Sequence, residues 1–494
     1  MNGIPLRDHY ARQIVGSDAA EDCMKTPQKY NVNIFNFTQP QDHFDPNNNV
    51  TWQQQVQWRN DSFKSQDSGD IIFLLLGGEG PIQTTWMCFT NYTWTKLAQQ
   101  HNAFMFQLEH RYFGTSAPTS DMSVANLKWL TTEQAMADLN QFIPAMNKQF
   151  GFNKPKWVAF GGSYPGTLAA LLRMSYPNIT NGNIASSAPL WAKVDMWEYA
   201  EKMDQAILWT SQNNASLANC HSETQKAFIY AKNATYYDTG RAELNKAFNI
   251  TPPLGTNPNT TMDLDATNFL RTIFHSFQGI IQYTFDNRGN ATINANGLNV
   301  NSLCVRMVDT SKSLVERLYS VYAWEQSWDS GSIPSSLNND YWAGIAFARN
   351  TQFGSDAAAW RGWMWLCCNE FGWLPTTDNA YSIFGEILPL GQGTNVVLPN
   401  GSLDPWSTLG CNVTNNGGAH CVDMYPYTKG SPNSPEPDTV AATIQIVTEN
   451  VAYYLTLDSP YRGGQTDDST TISITNIPVI TMIVTVILNF MKLF

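Results

Sequence analysis

Apolar residues fall in short unbroken runs over the first third of the chain. Runs of this kind mark strands covered on both faces. IIFLLL at 71–76, closed by Gly77 and Gly78, is the first, and AFMFQL at 103–108 is the second. The period then changes. TTEQAMADLNQFIPAMNKQF at 131–150 reads as a helix, with Thr131 and Gln134 at capping-box spacing and Pro144 expected to kink it. WVAF at 157–160 predicts a third strand, and 167–176 a helix stopped by Pro177. NIAS at 183–186 and NVVL at 395–398 predict further short strands. Past residue 436, Val440, Ile444, Val447, Val451 and Leu455 recur at helical spacing, which predicts a closing amphipathic helix.

Strands that alternate with helices predict an α/β fold, with a mostly parallel sheet covered by helices on both faces. The stretch 193–365 breaks this rhythm. It is strand-poor and dominated by patterns such as NFLRTIFHSFQGIIQYTF at 268–285, so it reads as a helical insertion. The expected organisation is an N-terminal segment (1–30), a first part of the sheet domain (31–192), the insertion (193–365), a second part (366–460), and a polar spacer with an apolar tail (461–494).

Composition narrows the classes. A net charge of −12 with no Lys/Arg cluster argues against a nucleic-acid binder. Seven histidines, none in HExxH, give metal hydrolysis little support, and no metal or cofactor is expected. Sequons stand at Asn36, Asn49, Asn60, Asn91, Asn178, Asn214, Asn233, Asn249, Asn259, Asn290, Asn400 and Asn412. Their spread along the chain, with eight cysteines in no zinc spacing, favours the secretory pathway and disulfides of unspecified connectivity. The N-terminal MNGIPLRDHYARQIV lacks the apolar core of a signal peptide, and we expect the leader to lie outside this chain. IPVITMIVTVILNF at 477–490 is shorter than the ~20 residues that span a bilayer. It fits either a lipid-anchor signal, giving membrane attachment, or a simply apolar tail.

The candidate chemistry centres on Ser163, in WVAFGGSYPG. A strand, then G-x-S, then a helix is the setting that exposes a serine nucleophile on a tight turn, and Gly161 and Gly162 supply the small neighbours. Pro165 stands where such turns usually carry glycine. It lies in the first helical turn, where a missing N–H is tolerated, and the Tyr164 N–H remains available as an oxyanion donor. In sheet hydrolases the acid and then the histidine follow the serine. His221 and His275 lie in the helical insertion. His420 follows a glycine-rich stretch read as a loop, and Asp404 sits directly after the NVVL strand. Ser163, Asp404 and His420 are therefore the expected triad.

These segments resemble one family of serine peptidases, which includes lysosomal Pro-X carboxypeptidase, dipeptidyl peptidase II and thymus-specific serine protease. QDHFDPNNNVTW at 41–52, GGEGPI at 77–82, EHRYFGTS at 109–116, LTTEQAMADL at 130–139, GGSYPGTLAA, NEFGW at 369–373, NGSLDPWS at 400–407 and AHCVDM at 419–424 carry the resemblance. The serine loop and HCVDM look nearest the thymus-specific branch. The resemblance implies an α/β-hydrolase domain with a helical cap between nucleophile and acid. It also implies a peptidase that cuts beside proline near a chain terminus, with proline-containing peptides as substrates.

A second oxyanion donor is expected from Gly78, Glu79 and Gly80. Trp406, Trp365 and Trp373 are candidate walls for a proline ring. Glu370, like Glu79, is a candidate grip for a substrate amino terminus, or else part of a structural salt bridge, with Arg111 as partner. A homodimer is left open. The rival readings are an esterase or lipase, which GGEG in place of an HGGG loop disfavours, and an inactive hydrolase-fold binding or adhesion protein.

Overall fold

A computed structural model describes residues 17–90, 92–257, 261–284, 297–330, 332–375, 377, 396–401, 419–424 and 438–457, the segments 396–401, 419–424 and 438–442 by their backbone alone. Its centre is an eight-stranded sheet. The strands are β1 (Asn33–Pro40), β2 (Thr51–Arg59), β3 (Ile71–Leu76), β4 (Phe104–Leu108), β5 (Lys156–Gly162), β6 (Gly182–Ser186), β11 (Val396–Gly401) and β12 (Ala419–Met424), in the spatial order β1-β2-β4-β3-β5-β6-β11-β12. The short pairs β7 (Lys193–Met196) with β10 (Gly372–Pro375), and β8 (Ile250–Thr251) with β9 (Leu337–Asn338), lie outside it. Pairing is antiparallel for β1–β2 and β2–β4 and parallel elsewhere in the main sheet.

The apolar runs form strands because both faces are covered. Ile72, Leu74 and Leu76 pack into one core with Phe106, Phe142 and Trp157. Their neighbours Ile71 and Phe73 pack into the other, with Trp94, Leu97, Val158 and Phe160. Alternation therefore serves two cores, as a strand of period two requires. The helices on these faces include α1 (Ser17–Lys25), α2 (Thr93–His101), α3 (Thr132–Phe150) and α4 (Tyr164–Ser175).

Beyond β7 the chain builds α5 (Trp197–Asn213), α6 (Cys220–Ala234), α7 (Asp238–Phe248), α8 (Met262–Gln282), α9 (Val300–Met307), α10 (Leu314–Ser330), α11 (Tyr341–Arg349) and α12 (Asp356–Leu366). This helical layer is continuous with the larger core through Phe248, Phe269 and Leu318, all fully buried. The last helix among the described residues, α13 (Asp438–Thr456), returns to the sheet, and the expected face positions Val447, Val451 and Leu455 are buried on the second core.

Local expectations fare unevenly. Thr131 caps α3 by accepting from the Gln134 N–H, as its spacing predicts. The Gln134 side chain does not reach back to the cap. It accepts from the His43 N–H and donates to Asp42, so the capping box is only half made. The helix runs through Pro144 to Phe150. Helix α4 starts at Tyr164, three residues before the expected 167, because the turn residue itself is the cap. The 419–424 stretch, read as a loop end, is instead strand β12.

Strands β1 and β2 left no apolar signature. Gln39, Gln54 and Gln57 occupy buried positions where an apolar side chain would have announced a strand. Gln39 donates to Gln54 at 2.7 Å, and Gln54 to the Glu109 carbonyl at 2.7 Å, so hydrogen bonds offset part of this burial, although Oε1 of Gln39 and of Gln57 is buried without a partner. Among the described residues two disulfides, Cys23–Cys88 and Cys220–Cys304, staple α1 to the sheet domain and α6 to α9. Among the described residues Cys367 is a buried thiol and Cys368 an exposed one.

Candidate active site

The turn after β5 carries backbone strain at one place. Ser163 sits at φ 63°, ψ −131°, a region that a residue with a Cβ rarely visits. It is pinned there by its own N–H, which donates to the Ser186 carbonyl of β6 at 2.9 Å, and by the Thr167 N–H, which donates to its carbonyl. Its side chain makes no capping bond to α4 and is partly exposed. A serine held in strained geometry, with its hydroxyl unused by the helix it precedes, is the arrangement a nucleophile needs.

The glycine requirement differs from the expected one. A Cβ on Gly161 would lie 2.0 Å from the Pro165 carbonyl oxygen, and one on Gly166 would lie 2.8 Å from the Ser186 carbonyl oxygen. At Gly162 the nearest atom would be 3.9 Å away, an ordinary contact, so this position tolerates a side chain. The turn needs glycine two residues before and three after the serine. Pro165 fits because the close approach to β6 falls one residue later.

Tyr164, at the first helical position, is fully buried, and its N–H has no partner within the helix. Strand β3 lies beside β5 with Leu75 opposite Phe160, so continuing three residues brings Gly78 level with Ser163. The loop 78–80 thus leaves the sheet from the strand beside β5. It is tied down by Glu109, which accepts from the Ile82 N–H at 3.1 Å. The other Glu109 oxygen takes the N–H groups of Thr115 and Ser116 and the Ser116 hydroxyl. Burial raises the Glu109 pKa, although these donors work against the rise.

Behind this loop stands a second polar cluster. Arg111 is fully buried and meets Asp138 through Nε and Nη2, each at 2.7 Å. Asp138 also meets His43 Nε2 at 2.7 Å. Burial pushes the Asp138 carboxyl up, but the Arg111 charge and these bonds prevail and hold it below the usual carboxylate range. His110 Nδ1 lies 2.7 Å from the Arg111 carbonyl, and Nε2 lies 3.0 Å from the Tyr164 hydroxyl. Desolvation drops the His110 pKa to about 4, so this imidazole is neutral.

Glu370 does not pair with Arg111, contrary to one expectation, because Asp138 already occupies that guanidinium. Its carboxyl takes the Thr132 N–H and lies 2.5 Å from the Thr132 hydroxyl. Trp373 is 2% exposed, stacks on Phe371 at 4.2 Å and donates to the Trp191 carbonyl. A packed core residue of this kind presents no open face to a substrate ring, which corrects its reading as a pocket wall. Trp365 is half-buried and donates to the Leu130 carbonyl.

Asp404 and Trp406 lie outside the described residues. His420 lies within β12, opposite Val397 of β11, which is opposite Ile184 of β6, which is opposite Phe160 of β5. Its backbone is thus three strands from β5 and level with a residue three positions before the serine. At ~4.8 Å per strand and ~3.3 Å per residue, its Cα is roughly 17 Å from that of Ser163. The described backbone does not bring these two residues together. Among the described residues no cluster of His, Cys, Asp and Glu suits a metal ion, and no helix is long and apolar enough to cross a membrane. The Asn36, Asn49, Asn60, Asn178, Asn233 and Asn249 sequons are exposed and Asn214 is partly covered. The side chains of Asn91, Asn259, Asn290, Asn400 and Asn412 lie outside the described residues.

Sequence reasoning passed over His110, Glu109, Asp138 and Thr132. The signal for them was present: all four stand in EHRYFGTS or LTTEQAMADL, segments quoted only for their resemblance.

The sequence comparisons identify the family. The profile of the family described as Serine carboxypeptidase S28 matches residues 39–392 and 390–436, stretches that include Ser163, Asp404 and His420. "Putative serine protease F56F10.1" of Caenorhabditis elegans is 37% identical over 94% of this chain and 91% of its own. Thymus-specific serine protease of Homo sapiens is 26% identical, covering 75% of this chain and 77% of its own. Lysosomal Pro-X carboxypeptidase of Homo sapiens is 26% identical over 80% and 83%. Among solved structures, the proline iminopeptidase of Mycobacterium smegmatis aligns over 85% of this chain and 97% of its own at 12% identity, TM-score 0.37. The sheet order and the strained serine turn are those of an α/β-hydrolase, and by its sequence match this chain belongs to the Serine carboxypeptidase S28 family of serine peptidases.

Proposed function

We propose that this chain is an exopeptidase that cuts peptide bonds beside proline near a chain terminus, through Ser163, Asp404 and His420. The observation that carries the reading is the strained, uncapped, partly exposed Ser163 at the end of β5. Ser163 Oγ attacks the scissile carbonyl, and His420 takes its proton and later returns it to the leaving amine. Asp404 fixes the imidazole and balances the charge it gains. The Tyr164 N–H and the 78–80 loop receive the developing oxyanion, and losing one such donor lowers turnover about 10²–10³-fold. For this chemistry the chain at Ala419–Met424 must carry His420 toward the carboxyl edge of the sheet, beyond its described register. The match to Pro-X carboxypeptidase supports proline-containing peptides as substrates. The disulfides and the accessible sequons support passage through the secretory pathway.

The register of His420 favours a second reading, in which the fold persists without catalysis as a binding protein. A fluorophosphonate probe separates the two, since it reacts only with an activated serine. Labelling of the wild type that Ser163→Ala abolishes supports the peptidase; equal signal from both proteins supports the binding protein. A panel of proline peptides then fixes the end that is held. Cleavage of N-blocked but not C-amidated peptides identifies a carboxypeptidase, and the opposite pattern a dipeptidyl peptidase.

A further inference from the structure

Where α6 gives way to α7, the surface shows a cluster of large apolar side chains. Ile229, Tyr230, Tyr236 and Tyr237 are all exposed, Tyr237 by 65%. A contiguous patch of this kind marks a place that something covers. Between the two helices lies a groove of about 240 Å³, walled by Tyr230, Tyr237, Thr239 and Glu243. Asn233, the acceptor of the sequon Asn233-Ala234-Thr235, is exposed and belongs to the same wall.

The groove is firmly built. Its floor is the point where the helices touch, since a Cβ on Gly240 would lie 2.4 Å from the Ala234 carbonyl oxygen. The Arg241 guanidinium donates to the Thr235 carbonyl at 2.9 Å and closes the turn. Across the groove, the Tyr230 hydroxyl of α6 donates to Glu243 Oε2 of α7 at 2.7 Å. That bond leaves Glu243 Oε1 to accept from an occupant. Tyrosine faces beside a carboxylate oxygen and the Thr239 hydroxyl suit a pyranose ring, whose C–H faces are apolar and whose rim carries N–H and O–H donors.

The volume argues for a tethered occupant. Sites that hold free small molecules run to about 300–1,000 Å³, and this groove is smaller. A sugar attached at Asn233 needs less contact, because its docking is intramolecular, at an effective concentration in the ~mM range. We propose that the N-glycan of Asn233 is seated, its first N-acetylglucosamine lying in the groove between α6 and α7 against Tyr230 and Tyr237, with a donor directed to Glu243. The proposal rests on the reading that the chain passes through the secretory pathway.

Attachment forms a bond from Asn233 Nδ2 to the anomeric carbon of the sugar. It breaks that carbon's bond to the diphosphate of a lipid-linked oligosaccharide, and the amide proton leaves with the diphosphate. Thr235, the hydroxyl residue of the sequon, is buried in the folded chain and donates to the Lys232 carbonyl at 2.7 Å. Transfer therefore precedes the folding of this turn, and the groove closes about a sugar already in place.

Tyr237→Ala tests the seat with little risk to the fold, since that side chain is largely exposed. The full chain is expressed through the secretory pathway and the native protein is treated with a peptide N-glycanase. Mass spectrometry follows sugar loss at Asn233, with the exposed sequons Asn36, Asn49 and Asn60 as internal references. Tyr237→Ala should speed release at Asn233 by about three- to tenfold, what one aromatic contact is worth, and leave the references unchanged. Tyr236→Ala, which removes an exposed ring outside the groove wall, should leave every rate unchanged. Equal release at Asn233 from the wild type and Tyr237→Ala overturns the seat alone, as does a chain glycosylated elsewhere and bare at Asn233. Absence of sugar at every sequon overturns it together with the secretory reading.

Discussion

Gly114 illustrates how much a single atom decides in this protein. It stands at φ 64°, and a Cβ there would lie 2.0 Å from Glu109 Oε1. Glu109 in turn holds the 78–82 loop through the Ile82 N–H, so displacing its carboxyl loosens the wall opposite Ser163. Gly114→Ala should therefore destabilise by about 2 kcal/mol or more, from steric conflict, a positive φ and a broken buried network together. Chemical denaturation of the two proteins checks this, and an unchanged midpoint would refute it. His110 and Glu370 show the same economy in opposite senses. Burial lowers one to about 4 and raises the other to about 7, and both are thereby neutral in acid surroundings above pH 4. Nothing in the immediate spelling EHRY or NEFGW discloses these directions. They arise because the carbonyl of Arg111 and the hydroxyl of Tyr164 enclose His110, while the N-terminus of α3 meets Glu370.

Helix α3 shows which local signals survive folding. Thr131 caps it through the Gln134 N–H at 3.1 Å, and Gly151 closes it in the left-handed conformation. Thr131→Ala should cost about 1 kcal/mol, measured by thermal or chemical unfolding. The cost should exceed that of an equivalent cap on the surface if the Glu370–Thr132 contact depends on the same first turn. Periodicity found this helix, the core strands β3, β4 and β5, and the closing helix α13, because in each the buried side is apolar. It passed over β1 and β2, where Gln39 and Gln54 are buried and hydrogen-bonded to each other and to the Glu109 carbonyl, while the Gln39 and Gln57 Oε1 atoms are buried without a partner. It also misread Ala419–Met424, where the two glycines just before it suggest a loop while the backbone pairs with β11. Pairing of a short parallel strand is a tertiary event, with no local pattern that demands it.

The molecule as a whole is held by two kinds of long-range tie. One is the continuous core, in which Phe106 and Trp157 of the sheet and Phe269 and Leu318 of the helical layer share a single packed body. The other is covalent. Cys220–Cys304 closes a loop with a sequence separation of 84, and Cys23–Cys88 one of 65. A chain-entropy estimate gives about 4–5 kcal/mol for each, and native disulfides typically contribute 2–5. Replacing Cys220 and Cys304 together by alanine should lower the melting temperature by several degrees and loosen α6 against α9. Faster amide exchange in those two helices, with the sheet unaffected, is the expected signature. Exchange that rises uniformly would show that the cap and sheet unfold as one unit.

The sequence alone determined the alternation of strands and helices, the helical interruption after residue 193, the serine turn and the family. Each of these is written in local spacing: period two, period 3.6, or residues fixed by a single tight turn. Tertiary structure decided the rest, because it depends on which distant groups desolvate one another. Only the packed chain gives Gly166 rather than Gly162 its steric necessity, makes Glu370 a partner of Thr132 and not of Arg111, buries Trp373, and sets the register of His420. Burial turns the same carboxyl or imidazole into a different chemical object, and burial is a property of the fold, not of the neighbouring letters.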